Sequence, residues 1–316
     1  MRDGMDAALE IVHRTGPEYG PGASNHAPMA VEAMLAMGRG DGIISWLEWY
    51  RAELEEAPRG VATIPPENWR DYLGKSDRVA DWVSFFDREI AECGWQQTIA
   101  TWGPRLAPAI VSRAAHGLIR TAHAVRSLSL ADTAVRRHEL SEGLGYWAST
   151  WQTLPGNLVS EVPGRLASEA IEDLHRLHEP GFVNQGLIWQ SLNRLHEEPS
   201  FAHVVNLAGP AHDVSAFLSN LTETAARWFL SDRTVPVVFV HTVTAPSCLR
   251  FICPYLKPED AVLAARYAWQ TCAAMYAWFA LELPQVPKLP DANEFDLDEL
   301  KDRAVHAAGP HSIKFV

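Results

Sequence analysis

Apolar residues recur every three to four positions through most of the chain, a spacing that predicts a succession of amphipathic helices. Met29 to Met37 is an apolar run entered through Ser24-Asn25-His26-Ala27-Pro28 and closed by Gly38 and Gly40. Ser24 or Asn25 can cap such a helix, Pro28 is tolerated in its first turn, and the glycines end it. Ile43 to Glu56 carries Ile, Trp, Leu and Tyr at helical spacing before Pro58, and Trp69 to Leu73 is a shorter piece. Asp81 to Cys93 gathers Trp82, Phe85, Phe86 and Ile90 on one face. Pro104 and Pro108 punctuate the entry to a further helix that runs to about Leu130, and Asp132 to Trp151 sustains a helical stripe despite two glycines.

Segments 165–178, 186–197, 212–230, 258–282 and 296–307 also read as helices. Val235 to Thr244 is rich in β-branched residues, which favours a strand, whereas Thr234 followed by Pro236 offers a helix start; its helical neighbours favour helix. No hairpin turns separate alternating segments anywhere. The predicted fold is therefore all-α, a single large multi-helix domain over residues 1–316, with residues 1–20 flexible and Leu283 to Asp291 a surface loop. Ile313-Lys314-Phe315-Val316 resembles the start of a helix.

With 47% hydrophobic residues in 316, the chain can bury a substantial core. Twenty-seven basic against 39 acidic residues, a net charge of −12, argue against a partner bound through a phosphate backbone, so no nucleic acid is expected. The longest apolar runs stop short of the roughly 18 residues of a membrane span. Cys93, Cys248, Cys253 and Cys272 form no Cys-x-x-Cys pair and the start lacks a signal-like apolar run, so a reducing cytoplasm is the expected compartment. The twelve tryptophans supply flat walls, mostly for a core and in part for an aromatic ligand.

Several common motifs are missing. There is no Gly-x-Ser-x-Gly, no Gly-x-Gly-x-x-Gly and no His-Glu-x-x-His, and Gly74-Lys75-Ser76 fails as a phosphate loop because Trp69 occupies the position of its first glycine. The informative stretch is His116-Gly-Leu-Ile-Arg-Thr-Ala-His-Ala-Val-Arg126, in which two histidines seven residues apart lie on one helix face among small and aliphatic residues. A histidine enters such a surface only with a hydrogen-bond partner or a metal. Their axial separation of about 10.5 Å means that both reach one ion only by leaning toward each other, so one of them can instead orient a ligand. His13, His138, His175, His178, His196 and His306 sit among polar neighbours and read as solvated. His26, His116, His123, His241 and His311 occupy apolar or capped settings and are the candidate metal ligands, imidazole being the usual ligand of iron, copper, nickel and zinc.

The entry Asn25-His26-Ala-Pro-Met, the His116 to Arg126 segment, Tyr146-Trp147, Val240-His241-Thr-Val-Thr244 and the tail His311-Ser-Ile-Lys314, in that order, resemble the questin oxidase-like family from about residue 20 onward. That resemblance implies an all-helical fold holding one non-haem iron through four histidines and a carboxylated lysine, matched here by Lys314. It also implies a small aromatic substrate and dioxygen as partners, with oxidative cleavage of an anthraquinone ring, and NADPH as a further cofactor in some descriptions of the family. His26, His116 and His311 fill three of the four histidine places, and His123 and His241 compete for the last. Carbon dioxide added to a neutral lysine amine yields a carbamate, an anionic oxygen donor that suits Fe(II) beside imidazoles. Arg120 and Arg126 either steer a phenolate or form salt bridges. Two other readings exist: a metal-dependent HD phosphohydrolase built on His212-Asp213, in which Asp213 could equally cap a helix, and a non-catalytic helical protein that binds an aromatic ligand.

Overall fold

A computed structural model describes residues 4–161, 163–179, 181–231, 235–281 and 296–316. Its α-helices begin with α1 (Gly4–Val12), α2 (Ala27–Ala36), α3 (Ile43–Tyr50), α4 (Val79–Cys93) and α5 (Trp95–Leu106). They continue with α6 (His116–Leu130), α7 (Ala134–Ser149), α8 (Ala167–Ala170), α9 (Ile188–Asn193) and α10 (Val214–Ser231). The last are α11 (Pro236–Ile252), α12 (Pro258–Phe279), α13 (Leu297–His306) and α14 (Pro310–Phe315). Among the described residues the strands are β1 (Glu18–Tyr19) and β2 (Ala23–Ser24), one short antiparallel pair, so the protein is all-α as its periodicity predicts. The chain divides into two compact units interleaved in sequence, Met1–Trp95 with Ile119–Thr150 and Leu289–Val316, and Gln96–Leu118 with Trp151–Lys288.

In the first unit, the flexible start expected for residues 1–20 is corrected over Gly4–Val12. Met5, Ala8, Leu9 and Val12 are buried at the i, i+3, i+4, i+7 spacing of a core-facing helix. They join Val31 and Met34 of α2, Trp46, Leu47 and Tyr50 of α3, and Ile313 of α14 in one apolar cluster. The tail is thereby built into the core of this unit, and the Trp46 indole N–H donates to the Ala308 carbonyl at 2.9 Å just before α14 begins. Ile43 to Glu56, expected as one helix, is α3 followed by a 3-10 turn over Arg51–Glu53, and Trp69–Tyr72 is also 3-10.

Helix α7 carries the two glycines that weaken its sequence pattern, and packing explains both. A Cβ on Gly143 would stand 2.9 Å from the backbone of Thr121, and one on Gly145 3.0 Å from the Val83 nitrogen. The glycines let α7 lie against α6 and α4 at backbone distance. Gly143→Ala should therefore destabilise the fold by about 1–3 kcal/mol, because overpacking against immovable backbone outweighs the gain of up to about 1 kcal/mol in helix propensity. Urea unfolding followed by circular dichroism measures the difference.

The second unit is built on α10, α11 and α12. The Trp269 indole donates to the Val204 carbonyl at 2.9 Å and the Trp278 indole to Asn184 Oδ1 at 3.2 Å, so α12 fastens the irregular segments beside it. Of Val235 to Thr244, all but the capping Val235 is helical, within α11. Pro236–Tyr255 proves long and apolar enough to cross a membrane, a correction to the expectation that no stretch is, yet 61% of it is buried inside the fold, as in the core helix of a globular protein. Two predicted helices shrink. Residues 165–178 keep only α8 and a 3-10 turn over Ile171–Asp173, because the following chain is pinned to the end of α12: Leu177 N–H donates to the Ala277 carbonyl at 2.8 Å and Arg176 to the Leu281 carbonyl at 2.6 Å. Residues 186–197 keep α9 and a 3-10 turn over Arg194–Glu197. Helix α5 is the converse case: Gly103-Pro104 looks like punctuation but lies in its last turn. The loop expected at Leu283 to Asp291 lies outside the described residues.

Candidate metal centre

In the first unit the two ends of the chain meet. Asn25 Oδ1 accepts from the Ala27 N–H at 2.9 Å, which turns the chain into α2 with His26 as the residue just before it. The capping atom thus belongs to Asn25, as expected, although the cap position is His26. The His26 backbone N–H donates to the Tyr50 hydroxyl at 3.1 Å, so burial, which raises the Tyr50 phenol well above its ordinary range, keeps it in its protonated form beside this residue. From α14, the Lys314 Nζ donates to His26 Nδ1 at 2.7 Å, and the His311 ring crosses the His26 ring edge-on with centroids 4.4 Å apart. The donor nitrogens of His26 and His311 lie within 4.8 Å of each other. Burial, aided by the charge of Lys314, pushes the His311 imidazole down to about 4, so it is neutral at physiological pH, the form that ligates a metal.

The same unit holds a hydrogen-bonded chain two residues before His26. The Tyr146 hydroxyl donates to Glu18 Oε1 at 2.8 Å and shares a 2.8 Å hydrogen bond with Ser24 Oγ. His123, on α6, has a different partner: its Nδ1 donates to Glu32 Oε2 at 2.7 Å, and Arg126 grips the same carboxylate, with Nε 2.6 Å from Oε1. Burial would raise the Glu32 carboxyl, but the hydrogen bonds and charges of His123 and Arg126 outweigh it and hold it below the ordinary value. His123 is not part of the donor group around His26 and His311. Arg120 forms a two-pronged ion pair with Glu139 at 2.7 and 3.0 Å, which leaves both arginines of the segment in salt bridges. His13, expected to be solvated, is bound at 2.9 Å to the same buried Glu139.

The second unit brings together the other pair. His116 Nε2 and His241 Nε2 face each other at 3.3 Å, both residues being buried. Two imidazole nitrogens on one ion, each about 2.1 Å from it and about 90–110° apart, stand about 3.0–3.4 Å from each other, so this separation fits neighbouring ligands. His116 Nδ1 lies 2.5 Å from the Arg113 carbonyl, which can only accept, so Nδ1 carries a hydrogen. A backbone carbonyl holding the second ring nitrogen is the usual support of a ligating histidine. That carbonyl belongs to an unusual stretch: Arg113, Ala114 and Ala115 have φ of 48°, 55° and 68° immediately before α6. The left-handed region costs a residue with a Cβ roughly 1–2 kcal/mol, and such strain gathers where the surroundings impose it.

The rival pair is dispersed to the surface. Asp213 Oδ1 accepts from the Ala216 N–H at 3.0 Å and caps α10, and His212 and Asp213 are both exposed. Among the described residues the possible metal-holding group contains neither of them. Three features escape sequence reading: the partner role of Glu32, the Arg113–Ala115 turn, and the hydrogen bonding that joins Glu18 to Ser24 and Tyr146. Glu32 has a signal, being the one acid inside the apolar run from Met29 to Met37, and Ser24 and Tyr146 stand out singly, but nothing in the sequence pairs them; the Arg113–Ala115 turn has no signal.

Fold and donors together define a class: an all-helical protein carrying a group of histidines that could hold a metal. The questin oxidase-like family model matches residues 23–316, nearly the whole chain, and the protein belongs to that family. Membership points to an oxidase-like enzyme, in the oxidoreductase class. No curated protein matches the chain.

Proposed function

We propose that this protein is an oxygenase that uses one non-haem Fe(II) to open a ring of an anthraquinone-like aromatic polyketide with dioxygen. The ion would be held by His26, His116, His241 and His311, with carboxylated Lys314 as the oxygen donor. The observation that carries the reading is the meeting of residues from opposite ends of the sequence: Lys314 Nζ lies 2.7 Å from His26 Nδ1, and the donor nitrogens of His26 and His311 lie within 4.8 Å of each other. His241 takes the fourth place because it faces His116, whereas His123 is engaged with Glu32. When bound, the iron would supply the binding and activation of dioxygen, which does not react readily with a closed-shell aromatic on its own.

The chain's own residues do the rest. The neutral His311 ring offers a lone pair without the cost of losing a proton. The Arg113 carbonyl holds the hydrogen of His116 on Nδ1 and so leaves a lone pair on Nε2, the nitrogen that faces His241 and would be the one to hold the ion. Glu32 keeps His123 and Arg126 on α6 in place, and the Tyr146 hydroxyl holds a proton between Ser24 and Glu18, two residues along the chain from His26. The substrate is aromatic and dioxygen is the co-substrate; neither nucleic acid nor a membrane is a partner in this reading.

The test is metal analysis of anaerobically purified protein together with oxygen uptake. One iron per chain is expected in the wild type. It should be lost in His241→Ala and retained in His123→Gln. Oxygen consumption should follow addition of a hydroxylated anthraquinone, and stimulation by NADPH would identify it as the reductant. A chain that takes up no iron after anaerobic reconstitution rejects the proposal.

A further inference from the structure

The connection from α5 to α6 does more than reverse the chain. A turn that needed only positive φ would be made most cheaply with glycine, yet Arg113, Ala114 and Ala115 all carry a Cβ, and Ala114 and Ala115 are buried. Such a conformation persists only where neighbours over-determine it. Those neighbours form a closed circuit within the second unit. The Arg113 guanidinium lies 3.9 Å over the face of Trp189. The Trp189 carbonyl accepts from Gln152 Nε2 at 3.0 Å, and the Gln152 backbone N–H donates to Ser112 Oγ at 2.9 Å. Ser112 and Arg113, consecutive in the chain, are thus both fastened to the Gln152–Trp189 pair.

The result of this fastening is the placement of one oxygen atom. The Arg113 carbonyl accepts from the backbone N–H of His116 at 3.2 Å and from its ring Nδ1 at 2.5 Å. We propose that Arg113 is a positioning residue for His116: stacked on Trp189, it holds the left-handed turn whose carbonyl locks the His116 ring as the Nδ1–H tautomer, with the Nε2 lone pair directed at His241. The inference rests on the metal-ligand reading of His116 for its purpose, but its central claim, the link between Trp189 and the His116 tautomer, is a property of the metal-free chain. A cation over an aromatic face is attracted whichever aromatic supplies it. Phenylalanine should therefore replace Trp189, and alanine should not.

The experiment uses the full chain, labelled with ¹⁵N in histidine and stripped of metal. Long-range proton–nitrogen spectra report which ring nitrogen of His116 carries hydrogen, with His116→Gln supplying the assignment. The wild type should show a single Nδ1–H form, Trp189→Ala and Arg113→Met a mixture of the two tautomers, and Trp189→Phe a return to the wild-type spectrum. Chelator competition with Fe(II) should show affinity weakened about 10–100-fold in the first two variants and restored in the third. If Trp189→Ala does not fold, Arg113→Met and Trp189→Phe, judged by circular dichroism, decide the matter. A single Nδ1–H form that persists in a folded Arg113→Met overturns the proposal. Tautomer mixing in a chain whose wild type binds no iron upholds the positioning claim and rejects the iron reading, so the two failures are distinguishable.

Discussion

Arg120→Met should lower stability at neutral pH by about 3–5 kcal/mol, the usual cost of removing one partner from a buried ion pair. The side chains of Arg120 and Glu139 are 4% and 2% exposed, and methionine would fill much of the volume without supplying a charge. Glu142, 3.4 Å from the Arg120 guanidinium, would then face Glu139 without the cation between them, and His13 would be left to hold Glu139. The pH dependence separates this from a packing defect. Burial alone would raise the Glu139 carboxyl, but the charge and hydrogen bonds of Arg120 and His13 overcome it and hold the group at about 2, against an ordinary 4.5. A carboxyl depressed in the folded state contributes stability that is complete above the unfolded value and is lost as pH falls toward the folded one. The wild type should thus lose that contribution between about 4.5 and about 2. The variant lacks it already, so the gap between the two proteins should narrow over the same interval. Urea unfolding at neutral and acid pH measures the gap, and one that stays constant with pH would show that the lost interaction is not the ion pair.

Lys314→Met should abolish stoichiometric iron while leaving the fold almost intact, and uptake of iron by the wild-type apoprotein should require carbon dioxide. The amine sits 2.7 Å from His26 Nδ1, so a carbamate formed there would put an anionic oxygen among the imidazoles. Methionine keeps the stem of the side chain but cannot add carbon dioxide. Its neighbour gives the contrasting result. Ile313 is 1% exposed in the cluster formed by α1, α2 and α3, so Ile313→Ala should cost about 2–5 kcal/mol by unfolding. The two consecutive positions thus separate ligand from anchor. Metal analysis after reconstitution in carbon-dioxide-free and bicarbonate-containing buffer, with thermal melting of both variants, provides the readout. Equal iron in both buffers would remove the carbamate from the donor set, and equal iron in Lys314→Met would remove the lysine altogether.

These expectations differ in how far the sequence alone could carry them. Spacing of apolar residues predicts α2, α4, α7, α10, α12 and α13 because burial along one helix face is a local property, written into every third or fourth residue. The candidate histidines were legible for a similar reason: His26, His116, His123, His241 and His311 stand out as titratable groups in apolar or capped settings. Local pattern cannot report what a tertiary contact imposes. Residues 165–178 read as a good helix and unwind because Leu177 and Arg176 bond to the end of α12. The glycines of α7 read as weaknesses and serve as places where α6 and α4 approach.

What the sequence by itself determined is the inventory: an all-helical chain, its apolar stripes, and the histidines and lysine available for chemistry. Only the tertiary structure decided the pairing. It put Lys314 and His311 against His26 across nearly the whole sequence, gave His241 to His116 and His123 to Glu32, and bent Arg113–Ala115 into the left-handed turn that holds His116. The physical reason is range. Helix propensity and amphipathicity act over a few residues, whereas partners far apart in sequence meet only after whole helices have packed, and that packing depends on side-chain shapes that periodicity does not record.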